Sequence, residues 1–282
     1  MAPFDLSLKH EMTDGDFKKI TTLVYNLSGI NLNDGKKELV KARLGKRMRN
    51  WGFQTFGDYY RYVVQDQTGQ ELIYLLDSLS TNFTHFFRET KHFDFIQKEF
   101  LPALMTGKQK NGNKIRFWSA GCSSGEEPYS LGITLLETLK TPEIWNLKIL
   151  ATDLSTKVLQ MADSGVYSRE RIRTIPPPLV KKYFLSGSDT WRDYVKVKDI
   201  FKKYISFERL NLKEEFSFAE PFDCIFCRNV MIYFDKPTQT SLINRFYNTL
   251  ARGGVLLIGH SESLTGIQHR FRYLKPAIYK KE

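Results

Sequence analysis

From about residue 114 the chain alternates short β-rich runs with helical ones: KIRFWSA, a helix from Pro128, LKILATD, a helix from Ser155, YISFERLNL, FDCIFCRNV, a helix through TQTSLINRFYNTL, and GGVLLIGHS. Parallel strands cannot be joined by a tight turn and need a crossover long enough to hold a helix. Such alternation predicts a doubly wound α/β domain over 114–282, with its ligand outside the carboxyl ends of the strands. One segment breaks the rhythm. RERIRTIPPPLVKKYFLSGSDTWRDYVKVKDIFKKY carries a triple proline, the turn-like SGSDT and the alternating YVKVK. It reads as an inserted subdomain, about 168–204, with a short antiparallel piece.

The first 80 residues have a different period. FKKITTLVYNLSGI, GKKELVKARLGKRMRNWG, FGDYYRYVV and ELIYLLDSLST place apolar residues at helical spacing. They predict an all-helical domain over 1–80, joined to the α/β domain through 81–113. In the second of these segments Val40, Leu44, Met48 and Trp51 form an apolar stripe. Lys36, Arg43, Lys46 and Arg47 fall beside it, within about a third of the circumference at roughly 100° per residue. Residues 31–50 hold seven basic and two acidic side chains, lopsided for a face that merely meets solvent. Residues 169–209 are basic too, with eleven Lys and Arg against five Asp and Glu, and they supply over half of the net charge of +11. An excess of that sign fits nucleic acid, an anionic membrane surface or an acidic protein segment, and composition does not choose among them.

Four strand ends carry polar groups suited to one ligand. After the first strand, AGCSSGEEP offers small residues for a close backbone approach and Glu126 or Glu127 to bond hydroxyls or an ammonium. That loop is an odd phosphate site, because helix N-termini attract anions and a carboxylate beside them repels one. Asp153 closes ILATD at the place a ribose-binding carboxylate holds in nucleotide-binding α/β folds. Asn211 and Leu212 end ISFERLNL and can supply an amide and an apolar contact to adenine, while CRNVMIYF sets Arg228, Asn229 and Tyr233 after an apolar strand. The absence of GxGxxG disfavours a dinucleotide and leaves a nucleoside with a cationic or zwitterionic tail; S-adenosylmethionine is such a ligand.

TNFTHFFRE at 81–89, WSAGCSSGEEPYS at 118–130, ILATDLS at 149–155, FDCIFCRNVMIYFD at 222–235 and GGVLLIGHSES at 253–263 closely resemble the CheR family, the chemotaxis receptor glutamate O-methyltransferases. The similarity runs over nearly the whole chain. It implies a Rossmann-like class I S-adenosylmethionine-dependent methyltransferase domain with an N-terminal all-helical domain, a cofactor-covering helix in 81–113 and a small inserted antiparallel β subdomain. It also implies methyl transfer from S-adenosyl-L-methionine to glutamate carboxylates on the cytoplasmic helices of methyl-accepting chemotaxis receptors, for adaptation in bacterial chemotaxis. The products would be glutamate methyl esters and S-adenosyl-L-homocysteine. Carried over by motif, the cofactor contacts are Asn82, Thr84 and Arg88 from TNxTxFFR, Glu127 from GEEP, and Asp153, Asn211, Leu212, Arg228 and Asn229.

Arg88 and Tyr233 are the expected catalytic pair. The planar fork of Arg88 suits the methionine carboxylate or the incoming glutamate, and Tyr233 would orient the attacking oxygen. A glutamate carboxylate is already ionised at neutral pH, so no strong general base is needed and alignment with desolvation carries the catalysis. The stripe of Lys36, Arg43, Lys46 and Arg47 would dock the acidic receptor helices. In some members of the family the inserted subdomain takes up a pentapeptide from the receptor C-terminal tail by strand addition, beside a glycine-rich loop. Here that loop is SGSDTWRD and keeps only Gly187.

Two other readings compete. The charge of +11 and an aromatic content of 14% would suit an RNA methyltransferase, but the aromatics lie in apolar runs and no NPPY-like base-holding motif occurs. A non-catalytic S-adenosylmethionine-binding adaptor or sensor belongs to another class, and Arg88, Asn229 and Tyr233 argue against it. No apolar run nears the roughly 18 residues of a membrane helix, and the N-terminus lacks the charged-then-apolar layout of a signal peptide. A cytoplasmic monomer with no membrane insertion and no nucleic-acid partner is expected. Cys224 and Cys227 form a CxxC, but residues three apart on a strand face opposite sides, so buried thiols are expected rather than a redox pair. With Cys122 they are too few for a disulfide framework. His10, His85, His92, His260 and His269 show no metal-ligand spacing and no metal is expected; for His85 and His260 the expectation is packing or capping.

Overall fold

A computed structural model describes residues 11–80, 82–108 and 112–282, so that His10 lies outside the described residues. The chain divides into two compact units at Thr81 and Asn82.

Helices α1 (Asp14–Ser28), α2 (Lys37–Trp51), α3 (Phe56–Gln65) and α4 (Gln70–Leu79) make the first unit. Capping boxes start α1 and α3, where Thr13 with Asp16 and Thr55 with Asp58 satisfy N–H groups that have no partner within the helix. Glycines in the left-handed conformation, Gly29 and Gly52, end α1 and α2. Val40, Leu44 and Met48 are fully buried, as their stripe predicts. Trp51 departs from it: half exposed, the indole packs on the Tyr62 ring with centroids 5.7 Å apart and covers the Arg47 guanidinium at 4.0 Å.

Two of the four basic side chains expected to face a partner are engaged by their own unit. Arg43 donates to the Leu79 and Ser80 carbonyls at 3.0 and 2.7 Å, groups left unsatisfied where α4 ends. Arg47 forms a forked ion pair with the buried Glu71 carboxylate, which also accepts from the Tyr59 hydroxyl at 3.0 Å. Lys36, in the 3₁₀ turn Asp34–Lys36, and Lys46, on α2, are exposed.

The second unit begins with loop 82–90, followed by α5 (Lys91–Phe95), a π-helical turn (Ile96–Phe100) and α6 (Leu101–Lys108). It continues through β1 (Lys114–Ala120), α7 (Glu126–Thr138), β2 (Asn146–Asp153), α8 (Thr156–Ser164), β3 (Val166–Ser168), α9 (Pro177–Tyr183), β4 (Phe184–Ser186) and β5 (Tyr194–Val197). The remainder is β6 (Ile205–Arg209), β7 (Phe222–Cys227), α10 (Lys236–Thr249), β8 (Leu250–Ile258), β9 (Arg272–Lys275) and β10 (Ile278–Lys280). α7 begins ahead of the expected Pro128, and Ser155 caps α8 by accepting from the Val158 N–H.

The main sheet has the order β6-β2-β1-β7-β8-β10-β9, parallel from β6 to β8 and antiparallel at β10 and β9. The insertion forms the separate antiparallel sheet β3-β5-β4. Both faces of the main sheet are covered. Cys224 and Phe226 join one core with Phe117, Ile149 and Leu257, while Ile225 and Cys227 join another with Trp118, Leu150 and Leu256. Each large apolar side chain buried this way contributes about 2 kcal/mol. The CxxC cysteines are free, buried thiols on opposite faces. From β1 the chain builds outward to β2 and β6, and from β7 it builds the other way to β8. The crevice opens where that order reverses, at the carboxyl ends of β1 and β7.

Candidate active site

The turn after β1 is held by the end of β2. The Gly121 and Cys122 N–H groups both donate to the Thr152 carbonyl at 2.8 Å, and Trp118 Nε1 donates to the Thr152 hydroxyl at 2.9 Å. Ser123 then links two segments. Its N–H donates to Asp153 Oδ2 at 2.8 Å and its hydroxyl to the Asn82 carbonyl at 2.8 Å. Asp153 Oδ1 accepts from the Ser155 N–H at 3.0 Å. Asp153 and Asn82 thus meet at one loop residue.

Glu126 and Glu127 face different surroundings. Glu126 is wholly buried, ion-paired with Arg171 and bonded to the Ser124 hydroxyl at 2.7 Å. The Tyr167 hydroxyl donates to the Ser124 carbonyl at 2.6 Å, so this part of the loop is tied to the inserted segment. Of the two acids offered as alternatives for a ligand, Glu126 is committed to the fold, because a buried carboxylate needs its partner. Glu127 retains some exposure, accepting from the Ser119 hydroxyl at 2.6 Å and from Arg228 Nη1 at 3.0 Å. Burial pushes its carboxyl above the ordinary range, against the pull of Arg228 and Ser119.

Arg228, at the end of β7, has a side chain only 2% exposed. Besides Glu127 it binds Glu89 Oε2 through Nε at 3.2 Å and Nη2 at 3.1 Å, and Nη2 also donates to the Arg88 carbonyl. Acceptors on several sides make a guanidinium tenable at that depth. The Arg88 side chain donates from Nη1 to the Phe83 carbonyl at 3.0 Å. Burial alone would raise the Glu89 carboxyl, but Arg228 and the His260 N–H outweigh it and hold it below the usual range.

Asn229 follows with φ 59°, a left-handed backbone. Its N–H donates to Glu262 Oε2 at 2.8 Å, and the same carboxylate accepts from the Gly259 N–H at 2.6 Å and the Ile232 N–H at 3.3 Å. Burial raises the Glu262 carboxyl even so. Gly259 has no room for a side chain, since a Cβ there would stand 2.9 Å from the Asn229 backbone nitrogen. Asn229 Oδ1 is buried and has no hydrogen-bond partner among the described residues. A buried acceptor left without a donor can take an N–H or O–H from a ligand, and that is compatible with a nucleoside in this crevice.

The remaining expected residues are more scattered. Thr84 is half-buried in loop 82–90, and Tyr233 is half-buried on the 3₁₀ turn Met231–Tyr233, packed on the second core. Asn211 turns its side chain onto its own loop, with Nδ2 donating to Glu214 at 2.9 Å and Oδ1 accepting from the Lys213 N–H at 3.1 Å. Leu212 is buried in the second core. Hydrogen bonding therefore joins Glu127, Arg228 and the Arg88 backbone into one network, and Asn82, Ser123 and Asp153 into another.

Ser119, Ser123, Glu89 and Glu262 take part without having been singled out from sequence, although all four lie inside the quoted motifs. Glu262 sits in the loop after β8 and Glu89 just ahead of α5, and an acid that is largely removed from solvent needs a partner. Sequence spacing also hid a histidine pair: the His92 and His260 rings lie 4.8 Å apart and, with Glu89, bring three potential ligand atoms within 4.8 Å. The Arg228 charge on the same Glu89 carboxylate opposes a dication there. Burial, with Arg228 nearby, lowers His92 to about 3, so its 3.5 Å contact with Glu89 is not an ion pair at neutral pH.

A family model described as CheR methyltransferase, SAM binding domain, matches residues 82–279, and one described as CheR methyltransferase, all-alpha domain, matches residues 15–80. A chemotaxis protein methyltransferase from Borreliella burgdorferi is 43% identical over 279 residues, 98% of this chain and 97% of that protein. One from Escherichia coli is 38% identical over 270 residues, 95% of this chain and 91% of that protein. A probable chemotaxis protein methyltransferase from Rhizobium etli is 39% identical over 259 residues, 92% of this chain and 96% of that protein.

Proposed function

The chain belongs to the CheR methyltransferase family, and from that premise we propose that it methylates glutamate side-chain carboxylates of chemotaxis receptors in an S-adenosylmethionine-dependent reaction. One observation carries the reading of the pocket. At the ends of β1 and β7, Arg228 binds Glu127 and the Arg88 carbonyl, and beside them Asn229 offers a buried, unpartnered acceptor. Asn82, Thr84, Arg88, Glu127, Asp153, Asn211, Leu212, Arg228 and Asn229 would hold the cofactor. Bound S-adenosylmethionine supplies an electrophilic methyl group: a carboxylate oxygen forms the new C–O bond as the C–S bond breaks, giving a methyl ester and S-adenosylhomocysteine with no proton exchanged.

Since the attacking carboxylate is ionised at neutral pH, the protein has only to hold it in line and exclude water. Arg88 anchors a carboxylate, either that of the methionine moiety or that of the incoming glutamate. Tyr233 orients the attacking oxygen through its hydroxyl. Glu127, with its partly open position next to Arg228, is suited to a cationic or hydroxyl-bearing part of the cofactor. The exposed Lys36 and Lys46 dock the acidic receptor helices, and the sheet β3-β5-β4 offers an edge to a receptor tail peptide.

The test is methyl incorporation from labelled S-adenosylmethionine into a receptor cytoplasmic fragment, followed by mild base and assay of released methanol. Base-labile label that depends on Arg88 is the expected result. Label stable to base would place the methyl group on something other than a carboxylate and overturn the reading.

A further inference from the structure

We propose that Glu89 is a positioning residue of this site, aiming Arg228 at Glu127 and fixing the loop that carries Arg88. The inference rests on reading the crevice as the S-adenosylmethionine pocket. Glu89 lies in loop 82–90, just ahead of α5, and its carboxylate is contacted from two other elements. Oε2 takes the Nε and Nη2 hydrogens of Arg228 from the end of β7, and Oε1 takes the His260 N–H at 3.1 Å from the segment after β8. One carboxylate thereby joins the chain before α5 to the ends of two neighbouring strands.

The local backbone points the same way. Phe87 at φ 53° and Glu89 at φ 56° both lie in the left-handed region, on either side of Arg88. Residues with side chains keep that conformation only where their surroundings over-determine it. Phe87 is held by its N–H on the Ser130 hydroxyl at 2.9 Å and by its ring against Phe93. At the other end Glu89 supplies the hold through Arg228, which returns a hydrogen bond to the Arg88 carbonyl.

Charge sharing gives Glu89 a second effect. Arg228 divides its guanidinium between Glu89 and Glu127. With Glu89 neutral, the guanidinium would pair with Glu127 alone and draw that carboxylate away from a ligand. Glu89 thus acts through Arg228 on both Arg88 and Glu127, and needs no contact with the cofactor itself.

The experiment uses the full chain and S-adenosylhomocysteine, titrated by calorimetry into wild type, Glu89→Gln and Glu89→Asp, with melting curves to verify folding. Glu89→Gln keeps the shape and removes the charge, whereas Glu89→Asp keeps the charge and shortens the reach. Glu89→Gln is expected to bind at least tenfold more weakly, with Glu89→Asp between it and wild type. In methylation assays the KM for S-adenosylmethionine should rise by a similar factor while the KM for a receptor fragment stays within twofold. A general loss of structure would not produce that split. Glu89→Gln within twofold of wild type overturns the inference and leaves the pocket reading intact; if that variant does not fold, Glu89→Asp within twofold does the same. A wild type that binds no S-adenosylhomocysteine removes the pocket reading, and the inference with it.

Discussion

Val230 fills the space that a side chain on Gly121 would need. Gly121 sits in the left-handed region at φ 84°, and a Cβ there would fall well inside the van der Waals surface of the Val230 methyl group. The turn after β1 and the loop after β7 touch at this point. Gly121→Ala should therefore cost about 2 kcal/mol in urea unfolding, from backbone strain and overpacking together. It should also weaken S-adenosylhomocysteine binding, because Val230 adjoins Asn229. Val230→Ala in the same chain should restore part of both losses, and an affinity untouched by Gly121→Ala would sever that link.

Arg88→Ala and Tyr233→Phe should each lower methyl transfer roughly tenfold or more without unfolding the protein, in line with loss of an aligning contact of about 1.4 kcal/mol or greater. The Arg88 side chain donates to the local Phe83 carbonyl, and Tyr233 is half-buried. Near-normal turnover in both variants, at unchanged melting temperature, would remove them from the reaction.

Charge reversal on the helical domain should separate docking from stability. Lys36→Glu with Lys46→Glu should raise the KM for a receptor fragment severalfold with a milder effect on kcat, and more so at low salt. Arg47→Ala should instead destabilise the helical domain by about 3 kcal/mol, since it leaves the buried Glu71 carboxylate without its cation. Thermal or urea unfolding alongside receptor kinetics distinguishes the two effects.

His92 predicts an acid-sensitive limb of stability. The unfolded chain protonates this residue near 6.5, but the folded chain only near 3. Between those values the unfolded state binds more protons, so the contribution is complete above about pH 6.5 and is lost as pH falls toward 3, with a slope of at most about 1.4 kcal/mol per unit. Both ring nitrogens lack hydrogen-bond partners among the described residues. His92→Phe should flatten this limb in urea titrations at successive pH values, and an unchanged slope would show that His92 does not cause it.

Thiol chemistry supplies a simpler check. Cys122, Cys224 and Cys227 are buried, and burial raises all three thiols well above their ordinary range. A thiol reagent at pH 8 should label the native protein far more slowly than the urea-unfolded chain. Rapid labelling of Cys224 or Cys227 in the folded state would contradict their place in β7.

The architecture was legible wherever one physical pattern dominated. β1 spans Lys114–Ala120, the same seven residues as the β-rich run KIRFWSA, and the opposite facing of Cys224 and Cys227 follows from the two-residue period of a strand. Polar residues that interrupt such a run, Asp153 and Arg228, mark strand ends for the same reason. What lies across from a residue was not legible. The period of α2 gives the angular positions of Arg43 and Arg47, but nothing in it reveals the Glu71 carboxylate or the end of α4 packed against them. Glu126 and Glu127 are neighbours in sequence, yet only the fold brings Arg171 to one and Arg228 to the other. The meeting of His92 with His260 depends in the same way on long-range packing.

The strand order has a consequence for how the protein comes into being. β1 is made early, but its neighbour β7 and the Glu262 carboxylate that holds the loop beyond β7 come much later in the chain. On a ribosome, the first half of the crevice emerges with no opposite wall. A polypeptide interrupted before His260 would lack both Asn229's anchor, Glu262, and the His260 N–H that holds Glu89, so it should neither sequester cofactor nor modify receptors. Activity thereby requires a chain that has been made as far as Glu262.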